Sequence, residues 1–98
     1  MIGVFVRFCY GSNFDEPAVR EIAEMARATF EGLPGLRSKA FTLNSANNEV
    51  VNFYVWDSDE AAKAFFTDQL LERMAGLYRG RPTVEFVQIA TPVENTPP

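Results

Sequence analysis

Residues 2–9 are rich in β-branched and aromatic side chains and alternate with period two. Ile2, Val4, Val6 and Phe8 point one way; Gly3, Phe5, Arg7 and Cys9 point the other. This predicts a first strand, followed by a loop at Gly11-Ser12-Asn13. The period then changes. Val19, Ile22, Ala23, Ala26, Phe30 and Leu33 recur at helical spacing, with Arg20, Glu21, Glu24 and Arg27 largely opposite. Asp15 suits the cap of that helix, Glu16 and Pro17 its first turn, and Gly32 with Pro34-Gly35 its end.

Residues 36–43 read as a second strand and 44–48, Asn-Ser-Ala-Asn-Asn, as turn chemistry. Residues 49–57 should therefore return antiparallel as a hairpin. Asp57 or Ser58 caps a second helix with Asp59 and Glu60 in its first turn. Ala62, Phe65, Phe66, Leu70, Met74 and Leu77 form its apolar side, and Gly80 and Pro82 stop it. A fourth strand is expected over 83–91. The order β-α-β-β-α-β predicts an α+β, ferredoxin-like domain: one antiparallel sheet with both helices on one face. The domain is expected to span 1–92, with 93–98 a flexible Pro-rich tail.

Two helices cover one sheet face, and a solvated second face should turn polar. Here it does not. If Val51, Phe53 and Val55 face the helices, Asn52, Tyr54 and Trp56 face away, joined by Phe5, Arg7 and Cys9. Large aromatics beside a few polar groups suit an interface or a pocket.

Composition supports a partner. A chain of 98 residues buries only roughly 60–65% of its unfolded surface. Nine Phe and 47% hydrophobic residues are more apolar surface than one thin layer needs. A homodimer formed through the sheet face is the expected solution. A net charge of −4 argues against phosphate backbones, so no nucleic-acid partner is expected. Arg37 with Lys39, and Arg79 with Arg81, are too short to make a basic stripe. No apolar run approaches the ~20 residues of a membrane span, and 1–8 lacks the basic start and cleavage site of a signal peptide. No membrane partner is therefore expected.

The chemistry is bounded by absences. There is no histidine, which removes Ser-His-Asp and Cys-His catalysis, histidine-ligated haem and ordinary zinc sites. Acid–base work falls to Asp, Glu, Lys, Tyr or a bound water. Cys9 stands alone, so it forms no intrachain disulfide and no CxxC metal site. It reads as a small buried strand residue in a reducing, cytoplasmic compartment.

Leu33-Pro34-Gly35-Leu36, the hairpin, Tyr54-Val55-Trp56-Asp57-Ser58-Asp59-Glu60-Ala61-Ala62 and Phe65-Phe66 together resemble the dimeric α+β barrel superfamily. This is the antibiotic-biosynthesis-monooxygenase group, and the spacing is most similar to its YdhR-like members. The resemblance implies oxidation of small phenolic or hydroquinone-like compounds by O₂ in a pocket between sheet and helices, with no cofactor and no metal. Some members carry an asparagine and a tryptophan four residues apart on the third strand, as Asn52 and Trp56 stand here. The resemblance thus implies Asn52, Trp56 and Arg7 as catalytic residues. Asn52 would bond the substrate oxygen, Trp56 would stack on the ring, and Arg7 would favour the phenolate. Tyr54, Phe5 and Arg37 would complete substrate binding. The haem-degrading branch needs a histidine that this chain lacks. A tyrosine that some members carry on the second helix has no counterpart here, where Ala62 and Phe66 occupy that region. The alternatives are a non-catalytic small-molecule-binding module and a purely structural homodimer, in which these residues fill an interface or core.

Overall fold

The computed structural model describes residues 1–77 and 82–95. Four strands, β1 (Ile2–Cys9), β2 (Leu36–Asn44), β3 (Glu49–Trp56) and β4 (Thr83–Gln88), form one antiparallel sheet in the order β2-β3-β1-β4. Helix α1 (Glu16–Phe30) links β1 to β2, and α2 (Asp59–Phe65) with α3 (Asp68–Leu77) links β3 to β4. This is the expected ferredoxin-like α+β arrangement. Its central strands, β1 and β3, come from different halves of the chain.

The local reasons are those the residues suggest. The Asp15 carboxylate accepts the Ala18 N–H at 3.2 Å, and Pro17 occupies the first turn of α1. Ser58, not Asp57, caps α2 by accepting from Ala61 N–H at 3.1 Å. Gly35 lies at φ +83, and a Cβ there would come within 2.9 Å of the Ala61 methyl. Only glycine lets the chain enter β2 while its carbonyl accepts the Asp57 N–H at 2.8 Å.

Four expectations are corrected. The second helix is two helices. Phe66 leaves helical geometry at ψ 71, and Thr67 starts α3 by accepting the Leu70 N–H at 3.2 Å. The fourth strand ends at Gln88 rather than at 91. Gly11–Asn13 forms a short 3-10 turn. Cys9 is exposed, because position 9 shares a face with Arg7 and the helices cover the other face. The stop at Gly80, the Arg79–Arg81 pair and the tail beyond 95 lie outside the described residues, as does the side chain of Leu77.

The largest correction concerns β3. Directly opposed residues in an antiparallel pair share a face. Val4 pairs with Tyr54, Val6 with Asn52 and Phe8 with Val50. Val4, Val6 and Phe8 are buried, and so are Val50, Asn52, Tyr54 and Trp56. The even positions of β3 thus face the helices, and Val51, Phe53 and Val55 face away, the reverse of the expected phase. Tyr54 meets Phe66 edge-on at 5.0 Å, and Trp56 lies 5.2 Å from Phe65. Ala62, fully buried, leaves room for these rings.

The outer face carries Phe5 and Phe53 at 4.7 Å, flanked by Val51, Val55 and Val87. The rings leave no room at Gly3, where a Cβ would stand 3.1 Å from Phe53.

Candidate functional site

The helix-facing side of the sheet is incompletely filled. No residue of α1 is fully buried, and Ile22 remains 43% exposed, because α1 rides over β2 and β3 with open space beneath it. A cleft of about 550 Å³ runs there, with Val19, Ala23 and Arg27 above and Phe41, Val50 and Asn52 below. A second cleft of about 570 Å³ lies between the end of α1 and the start of β2, bounded by Phe30, Leu36 and Arg37. The two share Arg27, Lys39 and Phe41. Volumes of this size suit a small aromatic molecule.

Asn52 carries the strongest chemical signal. It is the buried polar residue of the core, 5% exposed, and its Oδ1 has no hydrogen-bond partner among the described residues. Leaving a buried acceptor unpaired costs about 1–3 kcal/mol. Here that acceptor belongs to a residue lining a cleft. Trp56 is 1% exposed and its Nε1 is likewise without a partner among the described residues. Its indole stacks on Tyr54 at 6.2 Å, 14° from parallel. Asn52, Tyr54 and Trp56 thus form one column along β3. Asn52 lines the first cleft, and the two rings pack with Phe65 and Phe66 beyond it.

The expected cations stand elsewhere. Arg7 and Phe5 occupy the opposite face of the sheet from Asn52, and the Arg7 guanidinium pairs with Glu49 at 3.8 Å. Arg37 borders the second cleft. It pairs with Asp57 at 3.6 Å and donates to Met1 Sδ at 3.3 Å.

A cation not anticipated is present instead. Lys39 Nζ lies 3.3 Å from the centroid of Phe30, 4.1 Å from that of Phe41 and 4.3 Å from that of Tyr54. It borders both clefts. Burial lowers its pKa from 10.5 to about 7. The signal was in the pattern: positions 39, 41 and 43 share one phase of β2, and Lys39 is the charged member beside Phe41 and Leu43. A β-bulge between Leu36 and Ser38 turns the strand so that both Leu36 and Lys39 face inward, opposite Trp56 and Tyr54.

Charge at the mouth comes from Arg20, Glu24 and Arg27 on α1. Glu16 anchors that helix to the β2–β3 turn by accepting from the Ser45 hydroxyl, which, with Arg20, holds its carboxyl below the usual value. Among the described residues, no cluster of three or more Cys, Asp or Glu side chains is placed to hold a metal ion. No described helix is long and apolar enough to cross a membrane.

The chain matches no family model and no curated protein. Its fold matches solved structures over nearly its whole length. A monooxygenase from the gene ActVA-Orf6 of Streptomyces coelicolor, in complex with Nanaomycin D, is 22% identical with a TM-score of 0.67, covering 97% of this chain and 92% of that one. SnoaB, a cofactor-independent oxygenase from Streptomyces nogalater, is 18% identical with a TM-score of 0.62, covering 96% and 97%. A protein of unknown function from Nitrosomonas europaea is 14% identical with a TM-score of 0.75, covering 98% and 95%. The chain therefore shares the fold of the antibiotic biosynthesis monooxygenase-like proteins, as its sequence pattern implied. At these identities the likeness establishes architecture; activity has to be argued from the site.

Proposed function

We propose that the protein is a monooxygenase that oxidises small phenolic or hydroquinone-like compounds with O₂ in the cleft beneath α1, using no metal or flavin. The observation that carries this is the Asn52 carbonyl oxygen: buried, without a partner among the described residues, and belonging to a residue that lines the cleft beside Phe41 and Val50. A phenol offers an aromatic body for Phe41 and a hydroxyl proton for that oxygen. Several solved structures of the same fold bear oxygenase names, one of them in complex with the ligand Nanaomycin D. The narrower likeness to the YdhR-like proteins rests on the sequence pattern alone.

The reaction balances without a cofactor. A phenol with a free para position and one O₂ give a p-quinone and one water. The ring is oxidised; one oxygen atom becomes the new carbonyl and the other leaves in water. Asn52 anchors the hydroxyl, and Trp56 with Tyr54 forms the aromatic wall behind it. Arg37 borders the cleft end. Arg7 and Phe5 act at the dimer face rather than on the substrate. Two copies pair through Phe5, Val51, Phe53 and Val55, which removes an apolar surface from water.

The test is oxygen uptake by the purified protein on a panel of phenols and hydroquinones, with no added metal or flavin. Uptake should exceed autoxidation. Asn52→Ala should lower it about 10–100-fold, the loss of one hydrogen bond to a developing charge. Uptake equal to the blank across the panel overturns the reading. The lack of any histidine favours one second reading, a binding module of the same fold. It predicts ligand-dependent thermal stabilisation with no uptake.

A further inference from the structure

We propose that Lys39 is the base of the cleft: its amine takes the proton of a substrate hydroxyl, and the resulting ammonium holds the oxyanion beside Asn52. The inference rests on the cleft being the substrate site.

Three observations place the amine there. First, it sits among the faces of Phe30, Phe41 and Tyr54, so most of its neighbours are apolar. Second, the β2–β3 register sets Lys39 opposite Tyr54 and Phe41 opposite Asn52, so the amine and the unpaired amide oxygen belong to adjacent rungs of one face. Third, both residues line the same cleft.

Among the described residues, no carboxylate pairs with Lys39. Arg20, Glu24 and Arg27 border the first cleft from α1, and Arg27 and Glu31 border the second; Arg27 and Glu31 pair with each other at 3.2 Å. Arg37 on β2 pairs with Asp57. Tyr10 and Tyr54 are the facing phenols. Desolvation is the sole cause of the Lys39 shift, to about 7, so near neutrality a large share of the amine is uncharged and able to accept a proton. A lysine whose charge is disfavoured by burial among rings, with a cleft before it, is placed to act as a base.

The steps balance. Phenol and amine give phenolate and ammonium. Phenolate and O₂ give p-quinone and hydroxide. The ammonium returns its proton to the hydroxide, which leaves as water, and the amine is regenerated. The ion pair formed in the first step gives the buried ammonium the partner it otherwise lacks.

The first experiment needs no turnover. 4-Nitrophenol is titrated into wild-type protein and Lys39→Met, and the ionisation of the bound dye is followed by its absorbance against pH. In wild type its apparent pKa should fall by about one unit or more on binding; in Lys39→Met it should bind without that fall. Binding without ionisation, ionisation unchanged in Lys39→Met, or no saturable binding each overturns the proposal. The second experiment is the pH profile of oxygen uptake. Wild-type uptake should rise with pH through about 7. Lys39→Arg keeps the charge but cannot take the proton, so the rise should vanish and uptake fall at least about 100-fold. Unchanged uptake in Lys39→Arg overturns the base role. Dye ionisation that depends on Lys39, with no uptake on any phenol, supports the Lys39 site and overturns the oxygenase reading instead.

Discussion

The two faces of this sheet are both built from large side chains, yet they ask for different partners. The outer face carries an apolar centre of Phe5, Val51, Phe53, Val55 and Val87, bordered by Glu85 opposite Phe5 and by Arg7 and Glu49 paired at one end. Any complementary apolar surface satisfies it, and area is what counts. The helix-facing side buries Asn52 and Trp56 and half-buries Lys39 among rings. Area does not satisfy an unpaired carbonyl oxygen or a desolvated amine; these need a group of particular chemistry at a particular atom. The difference teaches where to look for each activity. The face whose centre is carbon suits self-association, and the face with stranded polar atoms suits a ligand.

That contrast can be broken in graded ways. The largest expected loss of stability comes from Trp56→Ala. It removes a ring that is 1% exposed and packed on Tyr54 and Phe65, and should cost about 3–5 kcal/mol in urea unfolding. Phe53→Asp on the outer face should abolish self-association, read as a fall to monomer mass in light scattering, while 4-nitrophenol still binds. Loss of dye binding with unchanged mass would reverse the roles assigned to the faces. Asn52→Leu should be neutral or stabilising by about 1 kcal/mol, because it deletes an unpaired buried acceptor, yet oxygen uptake should collapse.

The last effect sharpens the contrast most. Lys39→Met should raise Tm at pH 7, since it removes the cost of holding a desolvated amine. The sign follows from the lowered pKa. In the unfolded chain the amine binds a proton below about 10.5, and in the fold only below about 7. Wild-type stability therefore falls as pH drops from about 10.5 to about 7 and levels off below. The advantage of Lys39→Met should grow over that window and vanish above it, measured by denaturant unfolding at pH 6, 8 and 10.

Much of the architecture was legible in the chain. The change from period two to helical period, Asp15 and Ser58 as caps, and Pro34-Gly35 before β2 specify the β-α-β-β-α-β order, because these signals act within a few residues. Asn52 also stood out, as a polar residue inside an apolar strand. Three features were not readable from the chain. Thr67 is a cap inside an apolar run, so its helix start was hidden by a continuous helical pattern. The phase of β3 was ambiguous because both of its faces are large and apolar: Val51, Phe53 and Val55 offer as plausible a core as Val50, Tyr54 and Trp56. Lys39 was read only with Arg37, as a pair too short for a basic stripe.

Local chemistry along the chain decided which elements form and in what order, since caps, turns and periodicity need only near neighbours. Only tertiary pairing decided which face of β3 is inside. Register against Val4 and Val6 is a contact across some fifty residues, and one step of slippage would exchange every side chain between the faces. The same pairing, with the bulge at the start of β2, carried Lys39 into a cage of three rings next to the residue it is proposed to serve.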